Sequence, residues 1–179
     1  MAGKYQHPQL NLEKRSQFTE DQFPFATILG CSDSRIPVEI IFDQGIGDLF
    51  VIRVAGNIVG EDQLGSLEFG VKNLNTPLIL ILGHENCGAI TAALNPREDR
   101  EKEWRGIQKL LTRIDPALRD IDPSLPLDQK IHVGVEANVK WSIKQLENIP
   151  EFEEEIRNGK LMIAGGVYEL DTGQVRLIQ

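Results

Sequence analysis

Cysteine and histidine are scarce in this chain, with two of the former and three of the latter in 179 residues. Two cysteines allow one disulfide at most, so no disulfide framework organises the fold. Aromatic residues make up 6%, and Trp104 and Trp141 are too isolated to form a base-stacking platform. Basic residues are outnumbered, 19 against 27 acidic, for a net charge of −8. That balance argues against a phosphate-backbone partner, so no nucleic acid is expected to bind. No apolar stretch approaches the ~20 residues of a transmembrane helix, and no membrane partner is expected. Met1 to Glu20 is polar and lacks the apolar centre of a secretion signal. Internal repeats and low-complexity segments are also missing.

What remains is an ordinary globular composition, 41% hydrophobic and 26% charged, in a length that suits one domain. Short apolar runs at Phe25–Leu29, Leu49–Val54, Leu78–Leu82 and Leu161–Ala164 read as strands. Gln174–Ile178 reads as a terminal strand after the Asp171-Thr172-Gly173 turn. Between them lie helical periods: Leu64, Leu67, Val71 and Leu74, then Ile131, Val135, Val139, Ile143 and Leu146. Gly88–Leu94 reads as a further helix. The alternation predicts an α/β fold with a mostly parallel central sheet and right-handed crossovers, flanked by helices. Residues 1–24 are expected to form an N-terminal arm. Residues 95–128, rich in charge and proline, read as a surface insertion with a helix near Trp104–Ile114. The whole, 1–179, is expected to be one domain.

Both cysteines and one histidine fall in two short clusters, Cys31-Ser32-Asp33-Ser34-Arg35 and His84-Glu85-Asn86-Cys87. Each follows an apolar strand, so the side chains sit at strand C-termini, where open α/β sheets place their sites. Two thiolates, an imidazole and a carboxylate form a ligand set suited to Zn²⁺. Cys87, three residues after His84, can reach the same ion through one tight turn. A helix opening at Gly88 would favour its thiolate form. Thiolate ligands suit a reducing compartment, which favours a cytoplasmic location. A thiol redox protein is disfavoured, because Cys31 and Cys87 do not form a C-x-x-C pair.

Asp33 and Arg35 decide what kind of site this is. Asp33 has two available partners, the metal and Arg35. On the metal it closes the fourth position; held by Arg35 it leaves that position to water, the catalytic arrangement. Zn²⁺ with two thiolates and a neutral imidazole is near zero charge, and a ligating carboxylate would make it negative and slow to form hydroxide. His7 reads as a surface residue and His132 as a helix N-terminal residue. Gly45-Ile46-Gly47 lacks the third glycine of a dinucleotide loop.

The two clusters, with Phe42-Asp43-Gln44-Gly45-Ile46-Gly47-Asp48 and Gly166-Val167-Tyr168-Glu169-Leu170-Asp171-Thr172-Gly173, closely resemble the β-class carbonic anhydrases. The likeness runs from about Gln22 to Leu94 and resumes near Val135. It implies zinc ligands at Cys31, His84 and Cys87, and a catalytic dyad of Asp33 and Arg35, with Asp33 joining the metal in a closed state. It implies a substrate pocket lined by Gln22, Phe50 and Phe69, the last a tyrosine in many members; Val54 and Ala55 are further candidate walls. The architecture it implies is a parallel sheet of four strands plus one antiparallel edge strand. The implied reaction is reversible hydration of CO₂ to bicarbonate and a proton, by attack of zinc-bound hydroxide. Alternatives are a CS₂ or COS hydrolase on the same frame, and a non-catalytic zinc-containing bicarbonate-binding subunit. Members place the site at a dimer interface, so a homodimer or higher homo-oligomer is expected. They carry more sequence ahead of Ala2-Gly3-Lys4, so either a dimer held over less area or an incomplete N-terminal arm is expected here.

Overall fold

The computed structural model describes residues 18–178. The expected arm therefore lies mostly outside the described residues, as does His7. Five strands form one sheet: β1 (Ala26–Gly30), β2 (Leu49–Arg53), β3 (Leu78–His84), β4 (Met162–Tyr168) and β5 (Val175–Ile178). Their spatial order is β2-β1-β3-β4-β5. The first four run parallel, and β5 lies antiparallel to β4 at the edge. The helices are α1 (Val38–Ile41), α2 (Glu61–Lys72), α3 (Gly88–Leu94), α4 (Arg97–Arg100), α5 (Arg105–Leu118), α6 (Leu127–Glu147) and α7 (Pro150–Arg157). This is the α/β sheet the apolar runs predicted. Among the described residues no helix is long and apolar enough to cross a membrane.

The central strands are almost wholly apolar because both faces are buried, one under α2, α6 and α7, the other under the short α1 and the segment around Ile36. In β3, Ile79 and Ile81 join the core that holds Leu67, Val139 and Leu146, while Leu80 and Leu82 join Ile28, Ile36 and Val38. Successive side chains point to opposite faces, so one run fills two cores.

Two expectations change. The fourth strand does not stop at Ala164 but continues through Gly165 and Gly166 to Tyr168. A methyl carbon on Gly165 would lie 2.6 Å from Val139 Cγ1, and one on Gly83 would lie 2.7 Å from Val139 Cγ2. Gly165 and Gly83 are where α6 seats directly on the sheet, the close packing that glycine inside a strand permits. The 95–128 segment is also not superficial along its whole length. Leu111 and Ile114 of α5 are buried in a core with Ile90 and Val135.

Gly165→Ala is expected to destabilise the fold by about 1–3 kcal/mol through overpacking against Val139 and Ile143. Gly65→Ala, on α2 with open space around it, should stabilise by roughly 0.5–1 kcal/mol. Urea unfolding midpoints of the two variants check both signs.

Candidate metal centre

Neighbouring strands deliver the first two side chains. β1 and β3 pair in parallel with Gly30 opposite Leu82. Cys31 follows β1 directly and His84 closes β3, so both emerge at the same edge of the sheet. Cys87 returns through a tight turn in which Asn86 adopts a left-handed backbone, φ 51°, which asparagine tolerates better than most residues. Cys87 then caps the N-terminus of α3. Ligand atoms of Cys31, His84 and Cys87 lie within 4.8 Å of one another, and all three residues are buried.

The protonation pattern of this cluster suits a cation. His84 Nδ1 lies 2.8 Å from the Glu85 carbonyl; the carbonyl can only accept, so Nδ1 carries the hydrogen. That leaves Nε2 with a lone pair, buried and without a hydrogen-bond partner. A buried nitrogen without a partner costs stability unless something else binds it. Beside it, the two sulfurs share a proton. The Cys31 thiol is lowered to about 4, first by the hydrogen bond from Cys87 and against the cost of burial. The backbone N–H groups of Asp33 and Gly56 also donate to Cys31 Sγ, at 3.4 and 3.3 Å. Cys87 is pushed up, first by holding that proton and then by burial. One thiolate, one thiol that a bound cation would deprotonate and one bare imidazole nitrogen form a donor set for a soft-to-borderline divalent ion.

Asp33 stands beside this set, gripped by Arg35. Arg35 Nε donates to Asp33 Oδ1 at 2.9 Å, Nη2 to Oδ2 at 2.7 Å, and the Arg35 backbone N–H to Oδ1 at 3.0 Å. The Arg35 guanidinium holds the Asp33 carboxyl well below the usual carboxylate range. Arg35 Nη2 also donates to the Asn86 carbonyl at 3.2 Å, which ties the dyad to the second ligand loop. Asp33 Oδ2 is 3.8 Å from His84 Nε2. Of the two partners open to Asp33, this structure pairs it with Arg35.

Other supports were not legible in the sequence. The turn at Ala55–Asn57 has left-handed backbone at Gly56 and Asn57. Its carbonyls are taken by buried side chains of α6: Asn138 Nδ2 donates to Gly56 O at 2.8 Å, and Ser142 Oγ to Asn57 O at 3.3 Å. The Gly56 N–H is thereby aimed at Cys31. Arg53 donates to the carbonyls of Cys31 and Asp33. Polar residues in mid-helix and a cation at a strand end are too common for sequence to flag.

The expected pocket walls divide into two groups. Val54 is hydrogen-bonded to the Cys31 loop, its N–H to Gly30 O and its carbonyl to Ser32 N, and Ala55 follows it. Phe50 and Phe69 pack against each other with ring centroids 6.0 Å apart. Phe69 and Gln22 line a cavity of about 660 Å³ with Phe18, Phe23 and Leu49, and none of the three ligands reaches its wall. His132 sits in the first turns of α6, with Nε2 3.6 Å from Glu136.

A sequence profile of the family described as "Carbonic anhydrase" matches residues 26–175. The protein named carbonic anhydrase 2 of Mycobacterium tuberculosis is 38% identical over 179 residues, covering 99% of this chain and 85% of its own length. Among solved structures, the β-carbonic anhydrase CcaA superposes with a TM-score of 0.87 at 26% identity, covering 93% of this chain and 78% of its own. One of two tetrameric β-carbonic anhydrases from Sordaria macrospora gives 0.82 at 25% identity, covering 94% and 87%.

In metal-free protein, thiolate absorbance near 240 nm should rise in two widely separated steps as pH increases. Because the sulfurs share a proton, the first step of the pair falls well below the ordinary thiol range and the second well above it. Cys31→Ser should abolish the acidic step.

Proposed function

We propose that this chain, which belongs to the β-carbonic anhydrase family, catalyses the reversible hydration of CO₂ to bicarbonate and a proton, with Zn²⁺ held by Cys31, His84 and Cys87. The observation that carries the reading is the buried, unpartnered Nε2 of His84 beside two sulfurs, with Asp33 next to them and retained by Arg35. When bound, Zn²⁺ supplies Lewis acidity, the property that makes water a nucleophile near neutral pH.

The roles of the chain's own residues follow from their chemistry. An ionised carboxylate only accepts hydrogen bonds, so Asp33 can hold the O–H of the attacking oxygen and turn its lone pair toward carbon. Arg35 keeps Asp33 ionised and in place through two parallel N–H···O bonds, a geometry a lysine cannot reproduce. CO₂ is small and apolar, so the pocket needs apolar walls more than a hydrogen-bonding network. Val54 and Ala55 suit that role beside Cys31; Phe69 and Gln22 line a separate cavity, with Phe50 packed on Phe69, and would complete the wall only from a second subunit. A scaffold with a purely structural metal would have no use for the Asp33–Arg35 pair, which weighs against a non-catalytic subunit.

A homo-oligomer is part of this reading. Phe23 and Phe69 line one cavity and stay exposed, at 75% and 45%, and the Sordaria relatives are tetrameric. A reducing, cytoplasmic setting suits two metal-binding thiolates.

Elemental analysis of the purified protein should find about one zinc per chain. Loss of zinc in Cys87→Ser, with retention in Asp33→Asn, is expected from the same ligand assignment. In stopped-flow CO₂ hydration, Arg35→Ala should lower kcat/KM by about 10–100-fold while zinc is retained. Wild-type rates in Arg35→Ala, or a folded, zinc-free and active protein, would overturn the assignment. Turnover of COS or CS₂ by a zinc-loaded protein inactive on CO₂ would redirect it.

A further inference from the structure

We infer that Arg53 is a positioning residue for this site, clamping the backbone of the loop that carries Cys31 and Asp33; its bearing on catalysis rests on the reading above. Arg53 is the last residue of β2 and lies level with Gly30, the last of β1. Beyond that point the ladder persists for two bonds, Val54 N–H to Gly30 O at 3.1 Å and Ser32 N–H to Val54 O at 3.3 Å. The chains then separate, one into the Gly56 turn and the other into Cys31-Ser32-Asp33-Ser34-Arg35. The Arg53 side chain spans the gap. Its Nε donates to Cys31 O at 2.9 Å and its Nη2 to Asp33 O at 2.7 Å.

Three features separate this contact from an incidental surface bond. The two carbonyls flank Ser32, so one rigid, planar fork fixes three consecutive residues together. Asp33 O also accepts from Ile36 N–H at 3.0 Å, so both of its lone pairs are engaged and the residue cannot rotate freely. Asp33 is consequently held at both ends by arginines, its carboxylate by Arg35 and its carbonyl by Arg53. The bonds to Cys31 Sγ come from Asp33 N–H and Gly56 N–H, and their geometry depends on the same stretch of backbone. Loosening the clamp therefore moves a ligand sulfur and the dyad carboxylate at once, although Arg53 itself touches neither.

The experiment compares the whole chain as wild type, Arg53→Ala and Arg53→Lys, with Arg157→Ala of the exposed α7 as control. Two readouts do not depend on turnover. In metal-free protein, iodoacetamide labelling of Cys31 and Cys87 is followed by peptide mass. Arg53→Ala should speed labelling of Cys31 by about tenfold, with a smaller change at Cys87. In Co²⁺-loaded protein the visible ligand-field bands should shift in Arg53→Ala and stay at wild-type positions in Arg157→Ala. The rate kcat for CO₂ hydration should fall by about 10–100-fold. Arg53→Lys, with one donor point in place of a fork, should lie between wild type and alanine; it carries the test if Arg53→Ala does not fold. Wild-type Cys31 labelling together with an unchanged Co²⁺ spectrum in both Arg53 variants would overturn the clamp. Faster Cys31 labelling in Arg53→Ala, in a protein whose wild type hydrates no CO₂, would uphold the clamp and remove the catalytic reading.

Discussion

The parallel pairing of β1 with β3 is the constraint on which the chemistry of this chain depends. With Gly30 set opposite Leu82, the residues that follow emerge at the same edge of the sheet, and Cys31 and His84 come together although 53 positions apart in the chain. A slip of one residue would turn Cys31 to the opposite face of the sheet. Specific packing holds that register: Ile28, Leu80 and Leu82 fill one core, Leu29, Ile79 and Ile81 the other, and the buried Thr27 Oγ1 meets Thr76 Oγ1 at 2.8 Å. Core and site are in this sense one structure: the apolar strands fix where the polar loops begin.

Electrostatics then determines what the loops hold. Two thiols and an imidazole, all buried, cannot all be satisfied by one another. The arrangement leaves a thiolate stabilised by backbone N–H groups, a thiol whose proton is shared, and a nitrogen with no partner. A divalent cation resolves all three at once. The bidentate hold of Arg35 on Asp33 keeps the carboxylate beside the cluster ionised and in place.

The parts legible in the sequence are those with a local signature. The strands were visible as apolar runs, α3 from Gly88 following a cysteine, and the ligands from their rarity and spacing. Where sequence reading failed, the cause was tertiary. The fourth strand reads as stopping at Ala164 but runs on to Tyr168, with Gly165 the floor on which Val139 and Ile143 rest. Leu111 and Ile114 lie in a charged, proline-containing segment, and only packing against α3 and α6 buries them. Asn138 and Ser142 sit in mid-helix, where polar residues usually face water; here they take the carbonyls of a left-handed turn. Arg53 reads as an ordinary strand-end cation until the neighbouring loop is in place.

X-ray absorption at the zinc edge of the isolated protein tests the central claim most directly. Two sulfur scatterers at about 2.3 Å and two light-atom scatterers, one of them imidazole, at about 2.0–2.2 Å are expected. In Arg35→Ala the number of sulfurs should stay at two. A shell of light atoms alone, or of four sulfurs, would contradict a metal centre built from Cys31, His84 and Cys87 of one chain.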